Sequence, residues 1–309
     1  MFGWLKRGGK TPGWLAVTLD EASLEFAHAR RVRGVGTQVS TYAARDVGDA
    51  RAMDRVAREF KFGRYQCSTM LRPGEYDIVL VEAPNVPRAE MKSALRWKVK
   101  DMVDYALDQA TIDFLDIPAP PGSGEARSPQ LFAVLARNEL LQARIRKFDE
   151  AGIALSAIDI PDAAQRNISA LYGDVDRGIA LIYFGRDSGL LTISYGGELY
   201  LSRRLDLGVD ELAEDAEDVE GGPHDRVVLE IQRTLDHFDR QFRHVPVGKL
   251  LLAPTGRPTR LRELLAERFE IPVQQIDLSE VLAFGAAPDE ETQWRLFHHF
   301  GAALRDTAP

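Results

Sequence analysis

Residues 178–208 read Gly178-Ile-Ala-Leu-Ile-Tyr-Phe-Gly-Arg-Asp-Ser-Gly-Leu-Leu-Thr-Ile-Ser-Tyr-Gly-Gly-Glu-Leu-Tyr-Leu-Ser-Arg-Arg-Leu-Asp-Leu-Gly208. Short apolar runs bounded by glycine turns predict strands rather than helices, and turns this tight predict antiparallel neighbours. The first turn, with Gly185, Arg186, Asp187, Ser188 and Gly189, has two physical readings. Its backbone N–H groups cradle a phosphate, or it closes a tight hairpin.

Working outward, the segment from Val227 to His244 places Val227, Ile231, Leu235, Phe238 and Phe242 on one helical face, and Lys249–Ala253 reads as a strand. The same order stands near the start of the chain. Trp14–Leu19, Ser23–Ala29 and Val35–Tyr42 read as strands, and a helix from about Asp49 to Phe60 turns Met53, Val56, Ala57 and Phe60 to one side. Tyr76–Glu82 reads as the strand that follows. The order repeats although the residues do not, which predicts a duplicated α/β architecture: two mixed-sheet halves, helices on their faces, around a central cleft.

Between the halves lies a different pattern. Pro84 ends the preceding strand, and Pro87 suits the first turn of a helix whose stripe is Met91, Ala94, Leu95, Lys98, Val99 and Met102. Thr111–Ile117 and Leu131–Leu135 read as strands on either side of a Pro/Gly/Ser loop over 118–129. Asn138 is placed to cap a helix running to Ala151 and closed by Gly152. A strand over 153–160 and a helix from about Pro161 return the chain to the first half. The expected division is a first core over 1–84 and 152–176, an inserted α/β subdomain over 85–151, and a second core over 177–309.

Bulk properties narrow the function classes. The chain has 309 residues, 45% of them hydrophobic and 28% charged, and these values belong to a folded protein with a sizeable core. No apolar run approaches the roughly 18 residues of a membrane span, and the first ten residues are too short for a signal peptide, so a cytoplasmic location is expected. Cys67 has no partner for an internal disulfide and reads as a structural thiol. A net charge of −8 excludes a general nucleic-acid surface, although much of the acidity is local: Asp210–Glu220 holds seven carboxylates. Phe2, Trp4 and Leu5 beside Lys6, Arg7 and Lys10 form a segment suited to weak contact with an anionic membrane. His237 and His244 share a helix face without a third ligand, so no metal site is expected. No Gly-x-Ser-x-Gly elbow or Walker-type loop occurs, and no catalytic residue is assigned.

Three stretches carry a resemblance over nearly the whole chain. They are Val81-Glu-Ala-Pro-Asn-Val-Pro-Arg-Ala-Glu-Met-Lys-Ser-Ala-Leu-Arg-Trp-Lys-Val-Lys-Asp-Met-Val-Asp104, then Ile158-Asp-Ile-Pro161 with Gln165-Arg-Asn167, then Gly189–Ile193 with Gly197–Arg204. Together they resemble the MshI family, the PilM-like component of MSHA-type type IV pilus assembly, in the PilM/FtsA branch of the actin-like (ribonuclease H-like) superfamily. The ending Phe300-Gly-Ala-Ala-Leu-Arg305 is similar to the last helix of PilM-type proteins.

The resemblance implies an actin-like fold with a nucleotide between its halves, held by an Asp-x-Gly turn from each half and a third, glycine-rich turn. The matching positions read Thr18-Leu-Asp20, Tyr183-Phe-Gly185 with Asp187 and Ser188 beyond it, and Ala253-Pro-Thr-Gly256. Both expected aspartates are missing, and Pro254 removes an N–H from the third turn. The expectation is therefore a degenerate pocket, with no cofactor and no efficient ATP hydrolysis, and with ATP and magnesium as the alternative. The resemblance further implies a cytoplasmic adaptor, peripheral at the inner membrane. It would hold the cytoplasmic tail of a single-span PilN-like protein in a groove between the inserted subdomain and the first core, and the pilus extension ATPase is a possible second partner. Arg96, Trp97 and Lys100 are the expected partner-binding residues, Trp97 standing either as an interface anchor or as a core residue of the insertion. An ATP-driven switch of the same machine and a polymerising actin-like protein are the other readings.

Overall fold

The computed structural model describes residues 10–19, 23–46, 50–118, 129–173, 176–213 and 221–305. Asp20, the aromatic segment before Lys10, most of the loop over 118–129 and residues 214–220 of the acidic stretch lie outside the described residues.

The chain opens with β1 (Trp14–Leu19), β2 (Ser23–Val32) and β3 (Gly36–Asp46), an antiparallel meander. Helix α1 (Ala50–Glu59) leads to β4 (Gln66–Met70), which lies parallel to β1. Then come β5 (Asp77–Glu82), α2 (Met91–Lys98), β6 (Ala110–Ile117), β7 (Gln130–Arg137) and α3 (Asn138–Glu150). Strand β8 (Leu155–Asp159) pairs in parallel with β4, and α4 (Pro161–Leu171) leaves its end. The second half repeats the scheme with β9 (Gly178–Phe184), β10 (Gly189–Tyr195), β11 (Glu198–Leu205), α5 (Pro223–Gln241), β12 (Val247–Leu252), α6 (Leu261–Arg268) and β13 (Val273–Gln275). The chain closes with β14 (Ala283–Phe284), α7 (Glu290–Arg295) and α8 (Phe297–Ala303).

The duplication is visible in strand order. The first sheet runs β14-β3-β2-β1-β4-β8 and the second β11-β10-β9-β12-β13, so each half contains a meander followed by two parallel strands. A small third sheet, β5-β7-β6, sits between β4 and β8 in the sequence. The expected strand over 76–82 does not complete the first sheet. It pairs with β7 in the small sheet, and β4 takes its expected place beside β1. The reason lies in composition: Gln66-Cys-Ser-Thr-Met70 carries Ser68 and Thr69 fully buried, so the strand nearest the core has a weak apolar pattern, whereas Ile78, Leu80 and Val81 announce a strand strongly.

Two further local expectations change. Helix α3 starts at Asn138 itself, with Arg137 as N-cap residue, because the Asn138 side chain accepts a hydrogen bond from Thr111 Oγ1 across the sheet instead of capping. Helix α2 ends at Lys98, so Met102 falls beyond its stripe and is 51% exposed.

One apolar core crosses both halves. Ala16, Ala27, Met70 and Ile168 from the first meet Ile179, Leu181, Leu251 and Leu278 from the second, with Leu296, Phe297 and Phe300 between them. Helices α4 and α8 cross here with minimal separation: a Cβ on Gly301 would stand 2.3 Å from the Ala164 carbonyl oxygen. Glycine is the residue that lets two backbones approach so closely. Asn167 Nδ2 donates to the Gly301 carbonyl at 3.0 Å and fixes the crossing from the side.

Candidate functional site

Strands β9 and β12 are parallel neighbours, so their carboxyl ends open on one crevice, the usual ligand position of such sheets. The turns expected to hold nucleotide lie at this crevice and opposite it. The Gly185 N–H donates to Ser188 O at 2.8 Å and the Gly185 carbonyl accepts from Val209 N–H at 2.8 Å. The turn is thus a hairpin with Arg186 and Asp187 at its exposed tip. Its inner side is closed by Gly208, where a Cβ would stand 1.6 Å from the Arg186 carbonyl oxygen.

Trp294 on α7 fills the space between the second and third turns. Its Nε1–H donates to the Phe184 carbonyl at 2.7 Å. Its ring lies against Gly256, whose φ of 70° and position 2.6 Å from the indole at Cβ both require glycine. Tyr183 stacks on Phe297 at 5.4 Å between centroids. On the first-half side, Thr18 Oγ1 meets His299 Nε2 at 2.9 Å. Arg295 joins Glu25 on β2 at 2.5 Å and Asp46 on β3 at 3.1 Å. The closing helices therefore link the described residues of these turns, Thr18, Phe184 and Gly256, through the chain's own side chains.

His298 lies in the same layer. Gln165 Nε2 donates to the carbonyls of Leu181, at 2.6 Å, and Leu190, at 3.0 Å. This turns Gln165 Oε1 toward His298 Nε2 at 3.3 Å, so that nitrogen carries the proton of a neutral ring. Burial pushes the His298 pKa down to about 3, helped by the neighbouring charge of His299. His28, held by Ser40 and by the Pro12 carbonyl, is pushed down to about 4, again mainly by burial. A base with a depressed folded pKa stabilises the fold above its unfolded value near 6.5, and that contribution is lost as pH falls toward the folded value. Between pH 7 and 5 each histidine is expected to withdraw about 2 kcal/mol. Urea unfolding at the two pH values checks this, with His298→Asn expected to lose about half of the pH dependence; an unchanged slope would contradict it.

A second site lies where the small sheet meets the first half. Strands β6 and β8 are each outermost in their sheets, and their open edges face a groove of about 300 Å³. Phe114, Leu115 and Val134 form one wall, and Ile158, Ile160 and Ala163 form the other. The Phe114 N–H is taken by the Asp113 carboxylate of its own strand at 3.0 Å rather than by β7. On the facing edge, the Ile160 N–H donates to Asp159 Oδ1 at 3.3 Å. Arg305 holds the other Asp159 oxygen at 2.6 Å, and Arg166 reaches Glu198 at 3.3 Å.

The groove is held rigid by polar ties that no sequence motif marks. Buried Asp162, in the first turn of α4, accepts from the hydroxyls of Tyr76 and Ser202, joining the segment before β5, α4 and β11. Arg204 lies over the Tyr76 ring at 4.5 Å and donates to its carbonyl at 3.1 Å. Tyr200 donates to the Pro118 carbonyl at 2.8 Å.

The three residues expected to bind a partner stand elsewhere. Helix α2 presses Met91, Leu95 and Val99 onto the small sheet, so the residues between them turn outward or sideways. Arg96 donates to the carbonyls of Leu107 and Ala110 and staples α2 to the start of β6. Trp97 is 82% exposed, which rules out its reading as a core residue. Lys100 is exposed, and none of the three lines the groove.

No protein-family model matches the sequence, and no curated protein does. Among solved structures the chain is similar to one described as the PilM-PilN type IV pilus biogenesis complex, with a TM-score of 0.70 and 18% identity over 96% of this chain and 99% of that one. It also matches a Bacteroides thetaiotaomicron protein of actin-like ATPase fold and unknown function, at a TM-score of 0.49 and 9% identity over 96% and 99% of the two chains. A third match is the cytoplasmic domain of EpsL, an inner-membrane component of the Vibrio cholerae type II secretion system, at 0.46 and 12% over 91% and 92%. At these identities the likeness is one of fold, and the chain has the actin-like fold.

Proposed function

We propose that the protein is an actin-like adaptor of a type IV pilus assembly platform of the MSHA type, related to MshI. In this reading it sits at the cytoplasmic face of the inner membrane through its partners. The groove between β6 and β8 receives the short cytoplasmic tail of a single-span PilN-like protein. The observation that carries this reading is the pair of open strand edges facing one apolar-walled groove, on a chain similar from end to end to a protein of the PilM-PilN complex. An extended peptide added to such an edge gains main-chain hydrogen bonds, and its alternate side chains enter the apolar walls. Its carbonyl groups would take over the Phe114 and Ile160 N–H groups from Asp113 and Asp159.

The adaptor works without efficient ATP hydrolysis in this account. The described residues at the three turns do not fit a magnesium nucleotide: the Gly185 amide is spent in its hairpin, Gly256 is covered by the Trp294 indole, and Thr18 is engaged by His299. Asp187 stands at the exposed hairpin tip.

Isothermal titration of the whole chain with a synthetic peptide of the PilN-like tail tests the proposal. Saturable binding is expected, weakened more than about tenfold by Ala163→Arg, which puts a long charged side chain between the walls. Trp97→Ala is expected to bind as the parent does. Binding that survives Ala163→Arg but is lost in Trp97→Ala would move the site to the outer face of α2, and micromolar affinity for magnesium ATP would favour the nucleotide switch instead.

A further inference from the structure

Strand register lines up three stretches at one end of the first sheet. Trp14, at the start of β1, pairs with Ala29 of β2 on one side and with Gln66, at the start of β4, on the other. The stretches beyond these pairs are the β2–β3 hairpin over 30–36, the entry to β1 over 10–13, and the short helical turn Phe62–Arg64 that leads into β4. They touch one another. A Cβ on Gly13 would stand 2.8 Å from Arg30 Cβ, and the Thr11 N–H donates to the Arg64 carbonyl at 2.7 Å. With neighbouring strands roughly 4.8 Å apart, the row from β3 to β4 is about 14 Å wide.

This end is basic on a chain of net charge −8. Lys10, Arg31, Arg33, Lys61 and Arg64 are all exposed, and none of them forms an ion pair with a described residue. Lys61 has a φ of 56°, so a cationic side chain stands where glycine would be unstrained. Carboxylates flank the row rather than interrupt it. Asp149 and Glu150 lie beyond β4, where they meet Lys61 and Arg64 across a cavity of about 480 Å³, and Glu280 precedes β14 on the side of β3. The stretches over 10–13 and 30–36 contain no carboxylate at all. Val35, near the hairpin tip, is 59% exposed. The chain reaches Lys10 by way of Phe2, Trp4, Leu5, Lys6 and Arg7, so these apolar and basic residues are tethered at the same end.

We propose that this end of the first half rests directly on an anionic lipid surface. The bases meet the headgroups, while Val35 and the apolar residues before Lys10 supply the hydrophobic part of the contact. A compact anion fits less well, because it would need the bases to converge and they are spread along a row. An acidic protein segment would use the bases but leave Val35, Phe2, Trp4 and Leu5 without a role. The contact is separate from the groove between β6 and β8 and does not depend on the adaptor reading. In that reading it adds an orientation: β8 starts beside the same end and carries its open edge away from it, toward residues 158–160 of the groove, so a tail arriving from the lipid surface meets that edge along its length.

Co-sedimentation of the whole chain with vesicles of phosphatidylglycerol and phosphatidylethanolamine tests the assignment. Binding is expected at low salt, weakening as salt is raised, with none to phosphatidylcholine vesicles. The double variants Arg31→Glu/Arg33→Glu and Lys61→Glu/Arg64→Glu are each expected to weaken it at least about tenfold, and Val35→Asp to weaken it as well, with unchanged circular dichroism and melting. Arg240→Glu/Arg268→Glu, an equal change of charge at exposed positions of the second half, is expected to bind as the parent does. Absence of binding to the anionic vesicles at low salt, undiminished binding in either first-half pair, or an equal loss in the second-half pair would overturn the proposal. So would a fluorescein-labelled polyglutamate peptide that binds as tightly as the vesicles and is lost in the same variants.

Discussion

Gly301→Val is expected to cost more than about 3 kcal/mol and to shift the urea midpoint accordingly. A Cβ at this position would stand 2.3 Å from the Ala164 carbonyl oxygen, 2.7 Å from its carbon and 3.1 Å from its Cα, all backbone atoms. Neither helix has room to give. Helix α4 is anchored by Gln165 to the carbonyls of Leu181 and Leu190, and α8 carries Phe297 and Phe300 into the core shared by both halves. Relief requires the halves to move apart, which opens close-packed apolar contacts. Gly285→Ala is the control: nothing lies within 4 Å of its added carbon, and a change within about 0.5 kcal/mol is expected. The crossing also bears on the groove, because Arg166 on α4 and Arg305 just beyond α8 stand at its wall. Weakened tail binding is therefore expected in Gly301→Val even where the fold persists.

Trp294→Ala is expected to remove roughly 2–4 kcal/mol, less than a fully buried tryptophan because Trp294 is only partly buried. The indole ties α7 to the end of β9 through the Phe184 carbonyl and covers Gly256 at the end of β12. Its loss strands that carbonyl and leaves a void at the carboxyl ends of both strands. Urea unfolding of the variant measures the effect. A loss below about 1 kcal/mol would mean the indole merely rests over the crevice and is free to swing aside, as a nucleotide-driven switch requires. The larger value would make it a fixed part of the core.

The second half was legible from a single stretch, since strands β9, β10 and β11 follow from short apolar runs and glycine turns. The duplicated order of elements was legible too, and with it the fold class. What escaped was contact between distant segments. Strand β4 hides because its buried face includes Ser68 and Thr69, whose polarity masks a central strand. Trp294 meets Phe184 and Gly256 from far along the chain, and nothing in Glu290-Glu-Thr-Gln-Trp-Arg295 announces it. The groove is assembled from β6, β7, β8, α4 and Arg305, two residues beyond α8, so no segment carries its signature. Trp97 was conspicuous as a residue type, and helical periodicity placed α2 on its sheet. Periodicity alone left open whether Trp97 is buried; it is exposed on α2 and does not line the groove between β6 and β8.

The most direct test of the adaptor reading is amide hydrogen exchange on the whole chain, with and without a saturating PilN-like tail peptide. The account predicts slowed exchange in residues 110–117 and 155–160, the two open edges, with residues 185–189 and 253–256 unchanged. Protection confined to the crevice turns, or to the outer face of α2 around Trp97, would contradict it.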